Sequence, residues 1–129
     1  MKYLSDYTKD ATTKLFDDTG AFFAFGDAQF QEKEKPGIDY VSMGGGLIVP
    51  RENAEKLAVC MGRITGQGIA QDLVENGREG VILRELYNLE CFYTGDISDC
   101  VEQLDRYGII ESEINAVYCK NYAEGTADL

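Results

Sequence analysis

Apolar positions recur at helical spacing along most of the chain, with one stretch near residues 21–49 that reads differently. From Leu4 to about residue 18, Tyr7, Ala11 and Leu15 share a face, Ser5 stands as N-cap and Gly20 as the stop of a first helix. Residues 21–25 (AFFAF) predict a short buried strand rich in aromatics. Gly26 and Asp27 break it, and Asp27 is placed to cap a single helical turn around Phe30 before the charged run EKEKPG. Residues 40–43 and 47–49 predict two strands joined through Gly44, Gly45 and Gly46, which supply the positive φ a tight turn needs.

Pro50 closes this region, and everything after it has a helical period. Between residue 51 and about 75, Ala54, Leu57, Ala58, Met61, Ile64, Ile69 and Leu73 form a drifting apolar face. Gly62, Gly66 and Gly68 interrupt that helix at up to about 1 kcal/mol each relative to alanine. Either another element packs closely on them, or the helix bends there. Asn76-Gly77 marks its end. A third long helix is predicted over 79–93, with Val81, Ile82, Leu86 and Leu89 as its stripe. Gly95 stops it, and Asp96 caps a helix whose inner face is Ile97, Val101 and Leu104. Tyr107-Gly108-Ile109 reads as a glycine stop with a following hydrophobic contact. A last helix over 111–122 buries Ile114, Val117 and Tyr118. The expected fold is α+β: a small antiparallel sheet of about three strands packed against four to five helices. It forms a single domain over residues 1–122, with a flexible C-terminal tail over 123–129.

Charge alters this picture. Twenty-three acids against twelve bases give −11, a field that repels nucleic-acid backbones and anionic membrane surfaces and attracts basic protein surfaces. The plain alternative is that the charge serves solubility. Direct nucleic-acid binding and membrane binding are therefore not expected. The N-terminus, MKYLSDYTKD, has no apolar core of a signal peptide, and no apolar run is long enough to span a membrane. A cytoplasmic location is expected, with Cys60, Cys91, Cys100 and Cys119 as free thiols, mostly small core residues.

The residue inventory removes most chemistry. There is no histidine, so Ser–His and Cys–His pairs and mixed Cys/His zinc sites are excluded, and no CxxC pairs the cysteines. Cys100 lies near a helix start, but Asp96, Asp99 and Glu102 around it oppose a thiolate, and a packed thiol is the expectation. Gly44-Gly45-Gly46 lacks the following helix and GK[ST] of a phosphate loop. Acids are abundant, so a metal-assisted carboxylate enzyme remains only a last alternative. No cofactor and no metal are expected, and the chain is read as a non-enzyme.

The most informative pattern is acidic. From Glu85 to Glu113 eight acids (85, 90, 96, 99, 102, 105, 111, 113) stand against one base, Arg106. Asp96, Asp99, Glu102 and Asp105 are spaced by three, which on one helix aligns them as a stripe rising about 4.5 Å per step. Such a row can imitate a phosphate backbone and occupy the groove of a nucleic-acid-binding protein. It is equally the composition of a solvated face opposite Ile97, Val101 and Leu104. The candidate partner-binding residues are Asp96, Asp99, Glu102, Asp105, Glu111 and Glu113. The aromatics of AFFAF, with Phe16 and Phe30, read as core, and the tyrosines as surface participants.

The runs FFAFGDAQF, YVSMGGGLIVPRENAE and RELYNLECFYTGDISDCVEQLDRYGI resemble a family of short uncharacterised proteins carried by bacteriophages and prophages. YVSMGGGLIVP alone is similar to a segment of small plasmid-borne antirestriction proteins. The resemblance implies a mobile-element accessory protein in a bacterial host and supplies no catalytic residues. The expected function is binding to a basic host protein, a nuclease or defence complex, as a counter-defence inhibitor of anti-CRISPR or antirestriction type that mimics DNA charge. The alternative is a structural, self-assembling phage accessory protein, with a homodimer through the Gly62/Gly66 helix.

Overall fold

The computed structural model describes residues 1–129 and divides them into two compact units, one of residues 4–68 and one of residues 1–3 with 69–129. The fold is α+β, as the patterning predicts, with one three-stranded antiparallel sheet and seven helices, two of them single turns.

The first unit opens with α1 (Leu4–Thr19), which starts one residue before Ser5, so Ser5 sits in the first turn and not at the cap. Gly20 ends it at φ 78°, where its N–H and that of Ala21 both reach the Phe16 carbonyl. The strand β1 is only Phe22–Phe23, shorter than the five-residue run predicted. Phe23 and Phe25 are exposed, the latter 73%, and stack on each other with centroids 6.0 Å apart. The expectation of a buried aromatic strand therefore fails on one face. Ala21 and Ala24, which flank the two-residue strand, are buried, while Phe23 and Phe25 face outward. The helix α2 (Asp27–Lys33) is longer than the single turn predicted and is capped by Gly26.

β2 (Tyr40–Gly44) and β3 (Leu47–Pro50) pair as the glycine-linked hairpin requires, with Gly44, Gly45 and Gly46 all at positive φ. The sheet order is β1–β3–β2, which leaves β3 central. Its Leu47 and Val49 form a core with Leu15 and Ala21 and with Leu57 of α3. One face of the small sheet is thus covered by α1 and the first part of α3.

α3 (Ala54–Asn88) is a single run of 35 residues interrupted at Gly77, whose φ of 70° and ψ of 163° are not helical. The predicted end at Asn76-Gly77 is a real break, but the helix resumes at once. Gly68 explains one of its glycines. A methyl there would come within 2.5 Å of Thr8 Cγ2 and 3.2 Å of Leu4 Cδ1, so α1 needs the missing side chain. At Gly62 and Gly66 an added Cβ meets nothing, and no element packs there.

The second unit holds the rest of α3 and the short helices α4 (Cys91–Thr94), α5 (Ser98–Leu104), α6 (Glu111–Lys120) and α7 (Tyr122–Gly125). The helix predicted over 79–93 stops earlier, at Asn88, because Glu90 adopts left-handed backbone (φ 56°) and turns the chain into α4. Gly108 (φ 71°) ends the turn after α5, and the Ile109 N–H reaches back to the Leu104 carbonyl, the glycine stop the sequence announces. Ile109, Ile114 and Val117 are buried. Of the expected tail, residues 123–125 belong to the turn α7, and Gly125 lies directly on the Phe92 ring, where an added Cβ would approach to 2.5 Å. No helix is long and apolar enough to cross a membrane.

Candidate functional site

The predicted acidic stripe is built from three kinds of backbone, not one helix. Asp96 precedes α5, and its Oδ1 accepts the Ser98 N–H (2.9 Å) and the Ser98 hydroxyl (2.6 Å). These bonds hold the Asp96 carboxyl below its usual range, but Ile97 and not Asp96 takes the N-cap position of α5, since the helix begins one residue later than the spacing predicts. Asp99 and Glu102 lie three apart on α5, opposite the buried Cys100 and Leu104. Asp105 stands in the 3₁₀ turn that follows, and Glu111 begins α6. The row of four therefore does not continue along one axis, because α5 ends at Leu104.

Glu113 is withdrawn from the set. Arg78 meets it with two bonds, Nη2 to Oε1 at 2.6 Å and Nε to Oε2 at 3.0 Å, and also donates to the Gly108 carbonyl. That fork keeps the Glu113 carboxyl below its ordinary value. Glu85, counted with the acidic run, is buried and paired with Arg84 at 2.9 Å. What remains is a group of four exposed carboxylates, Asp99, Glu102, Asp105 and Glu111, none of them in an ion pair.

Beneath this surface lies a buried polar cluster that the sequence reading passed over. Asp72 is fully buried, and its two oxygens accept from Arg84 Nη1 (2.8 Å) and Nη2 (3.0 Å), from Asn76 (2.7 Å) and from the Tyr107 hydroxyl. Arg84 also donates to Glu85 and to the Lys2 carbonyl, and its guanidinium lies 5.6 Å from the Tyr3 ring centroid. Burial opposes the charge on Asp72, but the bonds from Arg84, Tyr107 and Asn76 outweigh it and hold the carboxyl below its ordinary value. Burial first, and then the Asp72 bond, push Tyr107 up to about 12. No buried side-chain nitrogen or oxygen lacks a hydrogen-bond partner, so the cluster braces the unit. One signal was readable in advance. Glu85 falls four residues after Val81 and three after Ile82, on the stripe predicted to be core.

Cys100 is fully buried and pushed to about 12, chiefly by burial, which agrees with a packed thiol. Cys91 is also buried and raised. Cys60 is half-buried and packs against the core of the first unit, and Cys119 is exposed. No group of three or more Cys, Asp and Glu side chains is gathered to hold a metal ion.

The remaining concentration of surface chemistry is aromatic. Tyr87, Phe92, Tyr118 and Tyr122 follow one another with ring centroids 5.0, 5.1 and 5.7 Å apart. Tyr93 beside them is 75% exposed. The model of a family described as "Family of unknown function (DUF7659)" matches residues 4–120. No curated protein and no solved structure matches the chain.

Proposed function

This chain belongs to the family of unknown function DUF7659, and on that premise we propose that it acts by protein–protein binding, docking on a basic surface of a nucleic-acid-handling partner. The observation that carries the reading is the set of exposed carboxylates Asp99, Glu102, Asp105 and Glu111, which no cation of the chain neutralises, on a protein of net charge −11. Surface acids without internal partners keep their full attraction for an external cationic surface and accelerate its approach. Asp96 is engaged by the Ser98 N–H and hydroxyl, and Glu113 is excluded from the group by Arg78.

The finer reading places the protein in a bacterial cytoplasm as a phage or mobile-element inhibitor of a host nuclease or defence complex, with the carboxylates standing where nucleic-acid phosphates would bind. It assigns no catalytic step and no cofactor. The test is capture of partners from bacterial lysate at low and raised salt, with identification by mass spectrometry. A basic nucleic-acid-binding protein held at low salt and released as salt rises supports the reading. Asp99→Lys with Glu102→Lys is expected to weaken that capture at least about tenfold, and unchanged capture by this variant overturns it.

A second reading, self-assembly, is favoured by one face of α3. Gly62 and Gly66 are open, and Val59 beside them is exposed. Close approach of a second copy at these glycines requires a dimer in sedimentation at high concentration, and a monomer there removes it.

A further inference from the structure

We propose that the pocket between the α3–α4 break and α7 receives one lysine or arginine side chain of a basic protein partner. The inference rests on the reading of the protein as a binder of basic proteins, and it names where and how such a partner is held. The pocket has a volume of about 160 Å³ and is lined by Leu86, Tyr87, Glu90, Phe92, Tyr93 and Gly125, with Leu129 at its edge. Leu86 and Phe92 are buried and form an apolar floor. Tyr87, whose ring packs 5.0 Å from that of Phe92, and the exposed Tyr93 supply aromatic faces. Gly125 lies against the Phe92 ring and leaves no room for a side chain there.

Glu90 decides the chemistry of the guest. It is the one non-glycine residue with positive φ, and no hydrogen bond or ion pair engages its carboxylate. The same backbone turn that ends α3 sends Phe92 inward and leaves Tyr93 outward. No basic residue lines the pocket, and residues 85–129 carry ten acids against Arg106 and Lys120, the latter already paired with Glu79. A purely apolar guest would leave Glu90 without a counter-charge. A long cationic side chain satisfies both parts: its alkyl stem lies on Leu86 and Phe92, and its charged head meets tyrosine faces and the Glu90 carboxylate.

The test is an NMR titration of the full chain with a Gly/Ser peptide carrying three spaced lysines, against the same peptide with norleucine at those positions. Saturable shifts at residues 86–93 and 122–126 with the lysine peptide, absent with norleucine, are expected. Glu90→Gln and Tyr93→Ala, both at exposed positions, are each expected to weaken binding by about tenfold without changing the melting temperature. Equal binding of the norleucine peptide, or unchanged binding by both variants, overturns the pocket. If lysate capture then still depends on Asp99 and Glu102, the acidic-surface reading stands alone. If the peptide binds in the pocket but no basic partner is ever captured, the pocket stands and that reading falls.

Discussion

Removing Asp72 leaves the buried Arg84 guanidinium without its main counter-charge. Asp72→Ala is expected to cost about 3–5 kcal/mol in urea unfolding, the range for stranding one member of a buried pair. Its depressed carboxyl also fixes the acid behaviour. The stabilisation is present above the ordinary carboxylate range and is lost as pH falls through the lower folded value, so Asp72→Asn flattens the acid limb of the stability profile. Tyr107 works with the opposite sign. Its folded value of about 12 lies above the ordinary 10, so its contribution holds below about 10 and is lost between about 10 and 12. Tyr107→Phe removes that part of the alkaline limb, which a urea series at stepped pH reads directly. Glu90 is strained where Asp72 is satisfied. Glu90→Gly is expected to raise stability by about 0.5–1 kcal/mol by relieving the left-handed backbone, while lowering affinity for the lysine peptide.

The three central glycines of α3 separate by what lies over them. Gly62→Ala and Gly66→Ala add a methyl into open space on a helix, and each is expected to stabilise by about 0.5–1 kcal/mol. Gly68→Ala drives a methyl against the β-branched Thr8, which cannot rotate freely away, and is expected to destabilise by about 1–3 kcal/mol. Thermal melts of the three variants check both signs. Elements with punctuation were legible from the sequence: Gly20, the 44–46 turn and Gly108 all fall where their residues announce a stop. The break at Glu90 was not legible, since glutamate is a good helix former and nothing local marks it as a turn. The acidic stripe was misjudged for a related reason. A spacing of three promises one face only while the helix lasts, and α5 ends at Leu104.

For the molecule as a whole, the sequence carried the α+β class and the surplus of acid, but not which acids are free. That depends on Arg78 and Arg84, each reaching a partner distant in sequence or buried, and linear charge counting cannot see either. The charge itself yields a prediction of two opposite signs. Raising salt from about 10 mM to 0.5 M should raise the melting temperature by screening self-repulsion, while weakening capture of a basic partner. A charge that served neither purpose would leave both unchanged. The bond between Arg84 and the Lys2 carbonyl spans 82 positions along the chain. During synthesis Lys2 emerges first and its partner follows only after roughly 4–16 s at 5–20 residues per second. Lys2 is thus held in waiting, and this contact closes only when a segment made much later arrives.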